Sequence, residues 1–235
     1  MTIAPILLRL KRSLLASAGT IVFGMEDGTV SIFGLVFGVA ATTSSSAAVV
    51  VAGASGAVAA AVSMMAGAYL DAETNRDEMK ASQAHLQAAL ASDAAAIAAL
   101  LSKRLAAARL THKQSAALAS AVRRNPEALK DLLLALQAGP EEAALNPLEQ
   151  ALWMLLADFL SAAVPMLPFF LLPVPQARIV SAVVTITLLA ALGVGRAGIG
   201  GRNVSRTVAE TVSIGVAAAA AGVAIGLFIN RSFNG

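Results

Sequence analysis

Five stretches of this chain are each long and apolar enough to cross a bilayer, and that limits the fold before any motif is considered. A transmembrane helix needs about 20 mostly apolar residues. The stretches run from about Leu14 to Ala41, Ala47 to Leu70, Pro147 to Leu172, Gln176 to Val194 and Val204 to Ile229. Inside lipid, every backbone polar group must be paired within the protein, which leaves helices for apolar runs of this length. Composition agrees. Hydrophobic residues make up 57% of the 235 and charged residues 13%, about half the charge of a soluble domain. The expected class is all-α: an integral membrane protein with five transmembrane helices and a cytoplasmic three-helix bundle between spans two and three. The expected domains are residues 1–79, 80–146 and 147–235.

Several function classes are excluded. The chain has no cysteine, hence no disulfide, iron–sulfur cluster or thiolate zinc site. No nucleophile–base pair, phosphate loop or metal-ligand histidine pair is present, so an enzyme and a tightly bound cofactor are not expected. His85 and His112 both lie in the polar middle region and read as surface residues, His85 at most as a lone ligand. The net charge of +3 reports membrane topology and not a nucleic-acid partner. Arg9, Lys11 and Arg12 precede span one. The link "TTSSS" after it is uncharged. Nine Lys and Arg lie between Arg76 and Lys130, and Arg196, Arg202 and Arg206 lie between spans four and five. Basic residues mark cytoplasmic loops. The expected N-terminus is therefore cytoplasmic, with basic residues that are retained and not part of a cleaved signal, and the C-terminus is outside.

The middle region is expected to be helical. "SQAHLQAALASDAAAIAALLSKRLAAARL" is rich in Ala and Leu and contains no Gly or Pro. Thr111 is a candidate N-cap for a second helix. Asn125–Pro126 opens a third, and Gly139–Pro140 closes it. No breaker follows Gly67, so span two is expected to continue into the first of these helices.

Within "IVFGMEDGTVSIFGLVFGVAA" (21–41) sit Glu26 and Asp27, and Asp158 lies in the middle of span three. A charge at the bilayer centre costs about 2.5–3.5 kcal/mol on insertion scales. No Lys or Arg lies between Leu14 and Tyr69, so the first hairpin cannot neutralise its own acids. The acids are protonated and hydrogen-bonded, or bind a cation, or alternate between the two as a proton-coupled carrier requires. Glu26 and Asp27 point about 100° apart, so they cannot serve one point equally. Gly24/Gly28, Gly34/Gly38 and Gly222/Gly226 are small-xxx-small pairs suited to close helix packing or dimerisation. Those in span one flank the acids, where a close backbone also leaves space for an ion. Met64 and Met65 add soft thioethers, which suit late first-row metals and serve equally as core filler.

"FGMEDGTVSIFGLVFGVAA", "AVSMMAGAYLDAETNRDE", "RRNPEAL" and "AAVPMLPFFLL", in that order, resemble the vacuolar iron transporter family, which includes plant nodulin-like and yeast vacuolar iron and manganese carriers. The resemblance covers nearly the whole chain and suggests a divergent prokaryotic-type member, which implies a prokaryotic inner membrane. It implies five spans, a homodimer, a helical cytoplasmic metal-binding domain, and export of Fe²⁺ or Mn²⁺ from the cytosol in exchange for protons. It further implies that Asp27 and Met64 bind the metal. Glu26 and Asp158 are acids outside the family pattern and join them as candidate ligands of a site rebuilt within the membrane.

The chain also departs from the family. Ala68 stands where many bacterial members have Glu. Gly56 stands near a span-two Glu, "SQAHLQAALASD" replaces a Glu-rich stretch, and Gln137 falls near a later Glu. Glutamine and alanine cannot supply the anionic oxygens that a dication needs. The alternative is therefore a homologue that no longer transports, or one that carries a different cation or a small polar solute.

Overall fold

The computed structural model describes residues 3–92, 113–114 and 146–234. The chain divides into two compact units, one formed by Met1–Leu70 with Asn146–Gly235 and the other by Asp71–Leu145. Every element among the described residues is a helix: α1 (Ile3–Ala16), α2 (Ala18–Ala40), α3 (Ser46–Ser92), α4 (Pro147–Leu171), α5 (Val174–Gly200) and α6 (Val204–Asn234). Five of them, α2 to α6, are long and apolar enough to cross a membrane. Beyond Ser92, and apart from Lys113 and Gln114, the expected bundle helices lie outside the described residues. So do the signals at Thr111, His112, Asn125–Pro126 and Gly139–Pro140. His85 is exposed on α3.

Two boundaries differ from the sequence reading. The first span begins at Ala18 and not near Leu14, because the chain turns at Ser17 (φ −92°, ψ 9°) and α1 is a separate helix. Its Arg9 pairs with Glu149 at 2.8 Å, and Ser13 accepts from Trp153 Nε1 at 3.0 Å. The expected link 195–206 also shrinks, to the short turn between α5 and α6. Helix α5 continues through Gly195, Gly198 and Gly200, since glycine is well tolerated in membrane helices. It ends at Gly201, whose φ of 59° is left-handed, with Arg202 N–H bonded to Ala197 O at 3.0 Å. Asn203 Oδ1 then caps α6 by accepting from Arg206 N at 3.1 Å. Helix α4 starts the same way, with Asn146 Oδ1 accepting from Leu148 N and Pro147 in the first turn. Elsewhere α3 runs unbroken through Gly67, as the lack of a breaker predicts.

Glycine contacts give the helix directions in the first unit. Gly24 and Gly28 face Met154 and Asp158. Gly34 faces Ala218, and Gly38 faces Gly222. Numbers rise together in both sets, so α2, α4 and α6 run parallel. Gly53 faces Val36, Gly56 faces Ile32 and Leu35, and Gly193 faces Val208 while Gly215 faces Leu189. In these contacts numbers rise on one helix as they fall on the other, so α3 opposes α2 and α5 opposes α6. That alternation is what five successive crossings require. The unit is also inside-out for water. Leu160, Leu171, Ile179 and Phe228 stand exposed, whereas Thr29, Asp158, Ser181 and Thr185 are fully buried. Only lipid makes such an arrangement favourable.

Candidate functional site

Two prolines in α4 shape the site. Pro165 and Pro168 have no N–H, so the carbonyls of Ser161 and Val164 lose their donors four residues on. Ser181 Oγ on α5 donates to Pro165 O at 2.6 Å. Asp158 sits two turns before Pro165. Its side chain is 0% exposed, and neither carboxylate oxygen has a hydrogen-bond partner. Its backbone carbonyl accepts from Ser161 Oγ at 2.9 Å. A buried carboxylate without a donor is among the most costly groups a fold can hold.

Helix α2 packs directly on this acid. A Cβ placed on Gly28 would meet the Asp158 carbonyl and would lie 2.8 Å from both Asp158 Oδ1 and Ser161 Oγ. Gly28 therefore allows α2 to approach, and Asp27 comes with it. Asp27 is partly buried and immediately precedes the glycine that touches Asp158. The parallel α2–α4 contact thus brings together the helix segments that carry two of the four candidate ligands.

Met64 reaches the same depth by register. It continues the stripe of Gly53, Ala57 and Ala61 that α3 buries. About two turns past Gly56, the antiparallel pairing with α2 sets Met64 level with Met25–Asp27.

Glu26 is engaged elsewhere. Arg196 Nη1 on α5 pairs with its Oε2 at 3.1 Å, and Thr211 on α6 donates to Oε1 at 3.2 Å. The missing counter-charge comes from another span, through an arginine that the sequence placed in a loop. Arg196→Gln should strand the Glu26 carboxylate and lower stability by about 1–3 kcal/mol. The double variant Glu26→Gln/Arg196→Gln should recover most of this loss, measured as thermal unfolding in detergent. Equal losses in single and double variants would disprove the pairing.

Sequence reasoning missed Arg196, Thr211, Ser161 and the role of Gly28. A signal for Arg196 existed, because an acid that its own hairpin cannot neutralise calls for a cation on another span. Gly56 also gains a meaning. The space beyond it, where the resemblance puts a glutamate, is filled by Leu35 and Ile32. Among the described residues no group of three or more His, Asp or Glu gathers. One chain therefore offers two carboxylates, a thioether at the same depth, and the Ser161 carbonyl one turn away.

Comparison with known proteins bears on this geometry. Residues 18–227 match the model of the VIT family. Vacuolar iron transporter 1 of Arabidopsis thaliana is 30% identical over 207 residues, covering 86% of this chain and 81% of that protein. The vacuolar iron transporter of Centaurea cyanus is 30% identical over 209 residues, covering 86% and 83%. Vacuolar iron transporter 1 of Tulipa gesneriana is 28% identical over 211 residues, covering 87% and 84%.

Proposed function

The chain belongs to the VIT family, and from that premise we propose that it carries a divalent transition metal, Fe²⁺ or Mn²⁺, out of the cytosol in exchange for protons. It is a membrane protein of a transporter family and not an enzyme. The observation that carries the reading is Asp158, a carboxylate wholly buried and unpartnered, packed against Gly28, the residue next to Asp27. Such a pair needs neutralising, and a dication or protons would each do so. Competition between them for the same oxygens is the simplest coupling of two opposed fluxes. In this reading Asp27 is the principal ligand, Asp158 and Met64 assist it, and Glu26 fixes the rotation of α2. These groups fall short of octahedral coordination, so water or a second copy of the chain supplies the rest, in keeping with a homodimer. A change of cargo is the second reading, favoured by the apolar filling beyond Gly56.

The test is ion flux into proteoliposomes for Fe²⁺, Mn²⁺, Co²⁺, Zn²⁺ and Ca²⁺, with and without a pH gradient. Fe²⁺ or Mn²⁺ uptake that grows with the gradient is the expected result. No flux of any ion would refute transport, and flux of Ca²⁺ alone would move the assignment to another cargo.

The orientation is tested separately. The α5–α6 turn carries Arg202, while the link between α2 and α3 has no charge, which supports a cytoplasmic α5–α6 turn and N-terminus. The chain has no cysteine, so single cysteines report cleanly. In intact cells a membrane-impermeant maleimide should label Ser44→Cys and not Asn203→Cys. The reverse pattern would invert the protein.

A further inference from the structure

A cavity of about 310 Å³ opens between the N-terminal half of α2 and the C-terminal end of α5, away from Asp158. Its polar side holds Arg196, Arg202 and the Glu26 already paired to Arg196. Its apolar side is made by Val22, Phe23 and Ile199. Phe23 and Ile199 are 55% and 56% exposed, so this wall faces lipid. The charges do not balance. Arg202 and Arg206 share Glu210 at 2.9 and 3.0 Å, and Arg196 has Glu26 at 3.1 Å. Three guanidinium groups thus meet two carboxylates, and Glu26 also accepts a hydrogen bond from Thr211. Each guanidinium fork carries five N–H donors, and the pairings of Arg196 and Arg202 leave their side chains 41% and 40% exposed. Lys11 and Arg12 of α1 lie exposed at the same end of the unit and add positive potential.

Charged donors beside an apolar, lipid-facing wall form an amphipathic site, with Arg202 just past the end of α5 and Arg196 about two turns further in. We propose that this cavity binds an anionic phospholipid, its phosphate held between Arg196 and Arg202 and its acyl chains laid along Phe23, Val22 and Ile199. Basic pockets between membrane helices are suited to such headgroups. The net positive charge selects an anionic lipid over a zwitterionic one, and the exposed phenyl and branched alkyl surface selects a lipid over a soluble phosphate. The proposal does not depend on which ion the protein carries.

Thermal unfolding of the full-length chain in detergent tests it, because a ligand that binds the folded state raises the melting temperature in a saturable way. Phosphatidylglycerol should raise it, and phosphatidylcholine and glycerol 1-phosphate at equal concentration should not. Arg202→Gln removes one grip without stranding Glu26. This variant should need about fivefold more phosphatidylglycerol for the same shift. Arg76→Gln, an exposed control that does not line the cavity, should behave like the parent. Equal shifts from phosphatidylglycerol and phosphatidylcholine would overturn the anionic preference. A full shift from glycerol 1-phosphate would overturn the lipid assignment. Unchanged lipid affinity in Arg202→Gln would show that the cavity is not the site.

Discussion

Asp27→Asn protein in proteoliposomes is expected to lose metal-driven flux by about 100-fold, since even outer-shell changes around a metal cost about 10–100-fold in affinity. The variant should still fold. Asparagine keeps the size of the side chain, and removing a charge from a membrane interior relieves a desolvation cost. Asp158→Asn should also impair transport, because its carboxylate shares the contact that Gly28 makes possible. Glu26→Gln should have the smallest effect of the three, its oxygens being committed to Arg196 and Thr211. The measurement is metal flux and the accompanying proton flux for each variant, normalised to folded protein. Parent-like flux in Asp27→Asn with none in Asp158→Asn would move the principal ligand to α4. Parent-like flux in all three would make the acids structural and remove the main support for a carrier.

The second large effect concerns the α2–α6 crossing. Gly222→Val should abolish accumulation of folded protein, and even Gly222→Ala should be markedly unstable. A Cβ on Gly222 would fall on the Gly34 carbonyl, one on Gly226 on the Gly38 carbonyl, and one on Gly38 would lie 2.7 Å from Gly222 O. Overpacking a core costs about 1–3 kcal/mol when side chains can yield. Here the obstacles are backbone oxygens, so the helices themselves must separate. The controls are Gly67→Ala, Gly195→Ala and Gly198→Ala, whose added methyl groups meet open space. All three should melt within a few degrees of the parent, as surface changes usually do. If Gly222→Ala melts with the controls, the close crossing is not present in the membrane. The same geometry places Gly34/Gly38 and Gly222/Gly226 in packing within one chain, one of the two roles their spacing allowed.

The sequence by itself determined the class and the number of crossings. Length and apolarity are local properties, and lipid lets only a self-paired backbone survive, so five long apolar runs mean five helices wherever they pack. It also determined that Asp27 and Asp158 need an explanation, because the cost of an intramembrane acid follows from depth alone. Helix ends were less legible. The break at Ser17 depends on Glu149 and Trp153 holding α1 from another helix, and the extension of α5 to Gly200 depends on glycines staying helical where they usually mark loops. The sequence grouped Glu26, Asp27 and Asp158 as candidate ligands, but which of them approach one another was not legible in it. Neighbours in sequence, Glu26 and Asp27 diverge around a helix: Glu26 is held by Arg196 and Thr211, while Asp27 adjoins Gly28, which touches Asp158, far off along the chain. Only the tertiary structure decides that, because partners across helices are set by which glycines let two backbones touch, and at what register.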